Sequence, residues 1–234
     1  MPGDLPGTGL CEPIDVVNSH PAVLAGAREA LEPLLDSDRC RILVGITGPP
    51  AAGKSTLATT LANNLRTEYG PTAAVAVPMD GFHLANAELT RLGLARRKGA
   101  PETFDAAGFV SLLRRLRAPH DGEVVYAPDF NRSLNESIGS AIPVPAGLRV
   151  VVVEGNYLLL DTPPWSAVRE LLDLVLYVDA PTPTRIDALL RRQRSRGLDP
   201  SAAHDWVHRS DEANAALIAS TRDRADRVLT RPGG

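Results

Sequence analysis

Residues Gly48 to Ser55 read GPPAAGKS, a G-x-x-x-x-G-K-S string set between two segments of opposite periodicity. Before it, RILVGIT (Arg41 to Thr47) is a short, apolar, β-prone run; after it, STLATTLANNLR (Ser55 to Arg66) has helical spacing. The string is therefore expected to link a strand to a helix N-terminus, where free backbone N–H groups and the helix dipole favour an anion. Gly48 and Gly53 let the backbone wrap closely around a phosphate. Lys54 reaches the outer phosphates as a point charge, and the Ser55 hydroxyl is suited to Mg²⁺. The candidate triphosphate contacts are Gly48, Pro49, Pro50, Ala51, Ala52, Gly53, Lys54, Ser55 and Thr56. Of 25 Lys plus Arg, only Lys54 and Lys98 are lysines, so a lysine at this position stands out against a chain biased toward arginine.

The length of 234 residues suits one well-buried α/β domain with a small lid or insert. A net charge of −3 supplies no general basic field for nucleic acid or an anionic membrane, so neither is an expected partner. Cys11 and Cys40 make no disulfide framework and lack zinc-ligand spacing. MPGDLPGTGL does not read as a signal peptide, and no apolar run approaches membrane-spanning length, so the expectation is a cytoplasmic enzyme. Monomer and homodimer both stay open.

Residues 1–13, rich in Pro and Gly, read as a loose lead-in, and His20 to Leu35 as a helix with an apolar face. Ala73 to Pro78, Leu148 to Gly155 and Asp173 to Ala180 read as buried strands, with ADRVLT as a last one. Helices are expected over Leu84 to Leu94, Asp105 to Arg117, Thr182 to Arg196 and Ala202 to Thr221. Glu123 to Tyr126 and Ala141 to Val144 read as two short strands around a polar loop. Alternating strands and helices predict an α/β fold: a three-layer sandwich around a mostly parallel sheet, with an acceptor-binding insert over about residues 82–145 and an arginine-rich helical lid over about 185–204.

Phosphoryl transfer needs a carboxylate near the phosphate loop. Asp80 follows AAVAVPM and Glu154 follows RVVVV, so both are expected at carboxyl ends of parallel strands, where open α/β sheets bind ligands. The reading gives Asp80 the general-base role toward an acceptor hydroxyl, with Lys54 catalytic, and lets Ser55 and Glu154 hold Mg²⁺. His83, just after Asp80, is a substrate-binding candidate. Arg97, Lys98 and Arg132 are cations that would hold a phosphate, a carboxylate or sugar hydroxyls. Five of the ten aromatic residues lie beside these motifs, namely Phe82, Phe104, Tyr126, Phe130 and Tyr157. They would suit a nucleobase or merely fill the core. Asn156 completes the candidate acceptor pocket with Phe104, Tyr126 and Tyr157.

MDGFH (Met79 to His83), RKGAPETFD (Arg97 to Asp105), YAPDFNRS (Tyr126 to Ser133) and EGNYLLL (Glu154 to Leu160) together resemble the uridine kinase, phosphoribulokinase and type I pantothenate kinase superfamily. The likeness is greatest to its bacterial branch of nucleoside/nucleotide kinases and fructose-transport-system kinases, and runs from the phosphate loop to HRSDEANAALI at His208 to Ile218. It implies an ATP- and Mg²⁺-dependent kinase acting on a small-molecule hydroxyl, with a nucleoside-like acceptor foremost and sugar or pantothenate as alternatives. It also implies Asp80 as base and an arginine lid over ATP in LLRRQRSRGLD, with Arg192 best aligned and Arg191, Arg194 and Arg196 near it. A regulatory nucleotide switch is the rival class. It would show an N-K-x-D string, which is absent, and the D-x-x-G at Asp105 to Gly108 opens a helix instead of following a strand.

Overall fold

The computed structural model describes residues 19–232, so the lead-in expected over residues 1–13, and Cys11 with it, lie outside the described residues. The five core strands are β1 (Ile42–Thr47), β2 (Ala74–Pro78), β5 (Val150–Glu154), β6 (Leu174–Asp179) and β7 (Arg227–Thr230). They form one sheet in the order β2-β5-β1-β6-β7. All four pairings are parallel. Two further strands, β3 (Val124–Asn131) and β4 (Glu136–Pro145), form a separate antiparallel hairpin.

Period-2 alternation sorts each core strand's side chains to two faces. Ile42, Val44 and Ile46 of β1 point to one side, with Val150 and Val152, against α1 (Pro21–Leu35) and α2 (Lys54–Tyr69). Leu43, Val151, Val153 and Val175 point to the other, against α4 (Ala106–Arg117) and α5 (Ser166–Leu171). Both faces are thus covered, which is why these strands read as continuous apolar runs. Phe109 is fully buried in the second layer, so its truncation to Ala would cost about 3–5 kcal/mol. The buried Arg41 guanidinium, at the start of β1, donates to the carbonyls of Leu116, Pro145, Ala146 and Leu148. It ties the end of α4 and the base of the hairpin to the sheet.

The remaining helices are α3 (Asn86–Arg91), α6 (Thr182–Ser195), α7 (Pro200–Trp206) and α8 (Glu212–Ala219). Three elements differ from expectation. The helix expected over Leu84 to Leu94 is only the six residues of α3. The supposed polar loop is mostly strand: β3 and β4 run eight and ten residues, with mainly exposed side chains that leave no apolar alternation to read. The expected helix over Ala202 to Thr221 is α7 and α8 joined by a wide π turn, Val207–Asp211.

Candidate active site

The site lies beyond the carboxyl ends of β1, β2 and β5. GPPAAGKS leaves β1 and feeds α2, whose N-cap is Gly53. Three residues of the turn have positive φ: Gly48 at 143°, Ala51 at 63° and Gly53 at 102°. At Gly48 glycine is also required by space, because a Cβ there would stand 2.2 Å from the Val178 carbonyl oxygen of β6. The Pro49 carbonyl accepts from the Ala52 N–H (3.2 Å) and from the Lys54 Nζ (3.0 Å). Lys54 is buried; desolvation lowers its pKa to about 8 against the opposing pull of Glu154 and then Asp80.

Glu154 ends β5 and is in register with Ile46 of β1 and Pro78 of β2. Its Oε1 accepts from the Ser55 Oγ at 2.8 Å. Burial pushes the Glu154 carboxyl upward, and Asp80 adds to that push while Lys54 opposes it. Asp80 sits in a tight turn, Met79–Phe82, directly after β2. Gly81 makes that turn possible, since a Cβ there would meet the Pro128 carbonyl oxygen of β3 at 2.5 Å. Asp80 has no ion pair among the described residues, yet its charge acts on Lys54, Glu154, His83, Arg192 and Arg196. It is the hub of the cleft.

His83 packs at 4.0 Å from the Phe104 ring and 4.8 Å from Phe130. Its Nδ1 lies 2.8 Å from the Asp80 carbonyl, which can only accept, so Nδ1 carries the proton and Nε2 is left as an acceptor. Burial, the main influence, favours the neutral ring. Phe104 in turn meets Tyr157 at 5.6 Å and Trp165 at 6.0 Å, and Phe82 meets Phe109 at 5.2 Å. Of the rings named in the sequence, Phe104 and Tyr157 meet each other edge-on, while Phe82 and Phe130, both only partly buried, meet Phe109 and His83. The buried Tyr157 hydroxyl donates to the Gly99 carbonyl, which also accepts from the Asn214 side chain at 3.2 Å.

The other candidates differ in exposure and partners. Tyr126 is 53% exposed, on the pleat face opposite the buried Val125 and Ala127. Arg97 pairs with Glu102 at the surface. Lys98 donates to the Asn86 side chain and the Asn135 carbonyl, both at 2.6 Å, and lies over the Phe130 ring. Its charge is used to hold the hairpin tip. Arg132 is at that tip and exposed. Asn156 is half-buried just past Glu154, and its carbonyl accepts from the Thr47 hydroxyl at 3.1 Å. Thr56 lines a shallow depression on the α1 side of the loop, with His20, Ala52 and Arg231.

The arginines of α6 divide by helical phase. Arg185, Leu189 and Gln193 are buried on the inner face of α6, with Arg192 beside them, whereas Arg191 is exposed on the outer face. Arg185, not singled out in the sequence, is buried: it pairs with Glu212 at 3.1 Å and reaches toward the Pro50 carbonyl of the loop at 3.5 Å. Arg192 lies 3.8 Å from Asp211, and its Nε has no partner. Gln193 donates to Asp211 at 3.5 Å. Sequence reasoning passed over Asp211 and Glu212; a pair of acids one helix beyond an arginine cluster was the available signal.

A strand-loop-helix phosphate cradle, facing two carboxylates and an arginine-bearing helix, matches one family model. The model of the phosphoribulokinase / uridine kinase family covers residues 43–233. The chain belongs to this family. It is 38% identical to a Silicibacter sp. TM1040 protein of known structure, provisionally named a fructose transport system kinase, over 90% of this chain and 98% of the other, with a TM-score of 0.79. It is 33% identical to a protein of Schizosaccharomyces pombe provisionally named uridine kinase C227.14, over 81% of this chain and 83% of the relative. The pantothenate kinase of Corynebacterium glutamicum is 31% identical over 86% of this chain, which spans 62% of that relative. The chain is thus a kinase of the phosphate-loop class, as its motif series implied. No helix among the described residues is long and apolar enough to cross a membrane.

Proposed function

We propose that the protein transfers the γ-phosphoryl group of ATP, with Mg²⁺, to a hydroxyl of a small molecule. The reading rests on one observation: Lys54, the Ser55–Glu154 pair and Asp80 converge at the ends of adjacent strands. A hydroxyl and a carboxylate oxygen in contact form the hard donor pair that suits Mg²⁺, which takes few protein ligands alongside substrate phosphates. Bound there, Mg²⁺ would neutralise charge on the β- and γ-phosphate oxygens.

The residues act as follows. Backbone N–H groups of the loop and Lys54 hold the β- and γ-phosphates. The Asp80 carboxylate takes the proton of the acceptor hydroxyl as its oxygen bonds to the γ-phosphorus. The bond from phosphorus to the β,γ-bridging oxygen breaks, and ADP leaves. Arg192, whose buried Nε has no hydrogen-bond partner, offsets charge on the transferred oxygens.

The acceptor is better matched to a polar ligand than to a nucleobase, because His83, Phe104 and Phe130 pack on one another and the hairpin carries the exposed Arg132. A nucleoside acceptor is the second reading, favoured by the 33% identical relative named for uridine. The decisive measurement is coupled ADP release over nucleosides, pantothenate, sugars, hydroxy acids and sugar phosphates. Release with one class, lost in Asp80→Asn, supports the reading; ATP binding with no acceptor-dependent release in any class would sink it.

A further inference from the structure

The stretch Asp211–Asn214, at the start of α8, carries three polar side chains that helix packing alone does not call for. Asp211 and Asn214 are buried, where a helix that only packs would place apolar groups. The partners of all three come from elements of the cleft. Glu212 pairs with Arg185 of α6 at 3.1 Å, and the same Nη1 of Arg185 donates toward the Pro50 carbonyl of the phosphate loop at 3.5 Å. Asp211 accepts from Gln193 of α6 at 3.5 Å. Asn214 donates to the Gly99 carbonyl at 3.2 Å, 115 positions away in the sequence.

Gly99 in turn is tied to the Asp80 turn. Its N–H donates to the Thr103 hydroxyl at 3.0 Å. The Thr103 carbonyl accepts from the Leu84 N–H at 2.9 Å, and the Phe82 carbonyl accepts from the Asp105 N–H at 2.8 Å. Those two bonds fasten the loop to the residues that follow Asp80. One path of contacts therefore runs from Pro50 through Arg185, Glu212, the first turn of α8 and Asn214 to Gly99 and the Asp80 turn. A triphosphate in the cradle would set anionic oxygens beside Pro50. The Arg185 guanidinium has five donors in a fixed fork, so it would then hold an anion on either side, phosphate and Glu212. That arrangement pins the first turn of α8, and the ordering reaches Gly99 without a large displacement.

We propose that Glu212 and Asn214 are positioning residues that couple nucleotide binding at the phosphate loop to the order of the Gly99 loop, so that the Asp80 side of the cleft is held most firmly when the donor is bound. The assignment rests on the nucleotide-binding half of the kinase reading above. It does not depend on which acceptor is used. Neither residue touches the reacting groups; each acts through the backbone or guanidinium that it holds.

The test is hydrogen–deuterium exchange of the full chain, with and without a saturating non-hydrolysable ATP analogue and Mg²⁺. In the wild type the nucleotide should slow exchange over Gly99 to Thr103 by at least about fivefold, alongside protection of Gly48 to Thr56. Glu212→Gln and Asn214→Leu keep the side-chain volume and remove the tie. Each should abolish the slowing over Gly99 to Thr103 while Gly48 to Thr56 stays protected; Asn214→Ala replaces the leucine variant if that one does not fold. Tyr157→Phe removes the other donor to the Gly99 carbonyl but not the tie to α8, so exchange there should quicken in both states and the response persist. A response retained in Glu212→Gln or in the Asn214 variant overturns the coupling. So does a wild-type loop indifferent to the nucleotide, a result that needs no variant to fold. Acceptor-dependent ADP release alongside either result leaves the kinase reading intact. Coupling without such release in any acceptor class keeps the inference and removes phosphoryl transfer from that reading; no protection of Gly48 to Thr56 in the wild type removes both.

Discussion

At the donor end of the cleft one unbroken stretch, Gly48 to Ser55, shapes the phosphate cradle through backbone conformation, with glycine demanded at Gly48 by the Val178 carbonyl. At the proposed acceptor end, three separated segments are brought together: the Asp80 turn, the loop from Arg97 to Phe104 and the hairpin tip. Side-chain hydrogen bonds hold that assembly. Lys98 spans α3 and the hairpin, while Tyr157 and Asn214 both grip the Gly99 carbonyl. The loop is therefore held by backbone packing, and the proposed acceptor end by side chains that can be changed one at a time. That contrast fits a family whose members share a phosphate donor site and carry names from different acceptors.

The contrast can be broken most severely at Gly48. Gly48→Ala puts a methyl group into a backbone oxygen with no flexible atom to yield, so turnover should vanish and the melting temperature fall by more than about 4 °C. A variant with normal turnover would show that the loop can shift, contrary to its packing on β6. Next comes Asp80→Asn, expected to cut kcat by about 10²–10⁴ with the Kd for ATP held within a few-fold. Parallel loss of nucleotide affinity in a binding titration would reassign Asp80 to the donor end. On α6, Arg192→Ala should lower kcat by about 10²-fold while Arg191→Ala stays within about twofold, since Arg192 lies beside the inner stripe and Arg191 is exposed. Equal effects would mean that α6 rotates during turnover.

Smaller effects belong to the acceptor wall. Lys98→Met removes two hydrogen bonds at the hairpin tip and should raise the acceptor KM several-fold, with a melting temperature lower by about 2–6 °C and the KM for ATP unchanged. A rise confined to the KM for ATP would refute the separation of the two ends. Tyr126→Ala, on the outer pleat face, should change stability by less than about 0.5 kcal/mol and leave both KM values alone. A weakened acceptor interaction there would extend the site around the hairpin.

Legibility in the sequence follows the same division. The cradle, the parallel strands and both carboxylates at strand ends are local patterns, so residue order alone exposes them. Lys98, Tyr157 and Phe104 lie beside those motifs in the sequence. Their partners, however, come from 37, 58 and 21 positions away, as Asn135, Gly99 and His83, and only the tertiary fold supplies them. The hairpin was hidden because most of its residues face solvent and need no apolar alternation. Arg191 was legible in principle. Helical period alone separates it from the Arg185, Leu189 and Gln193 stripe, but reading the arginines as one cluster obscured their phase.

The wide turn at Val207–Asp211 gives the segment after α7 slack in length. A π turn accommodates one residue more than the α-helical path it replaces. Deleting a single residue there would restore regular winding with α7 and α8 still in phase, so Glu212 would keep Arg185 and Asn214 the Gly99 carbonyl. The same deletion inside the regular turns of α8 would draw on no slack and would turn the residues on one side of it by about 100° relative to the other. The segment works as a spare link: the chain can shorten by one residue here, and at its neighbours it cannot.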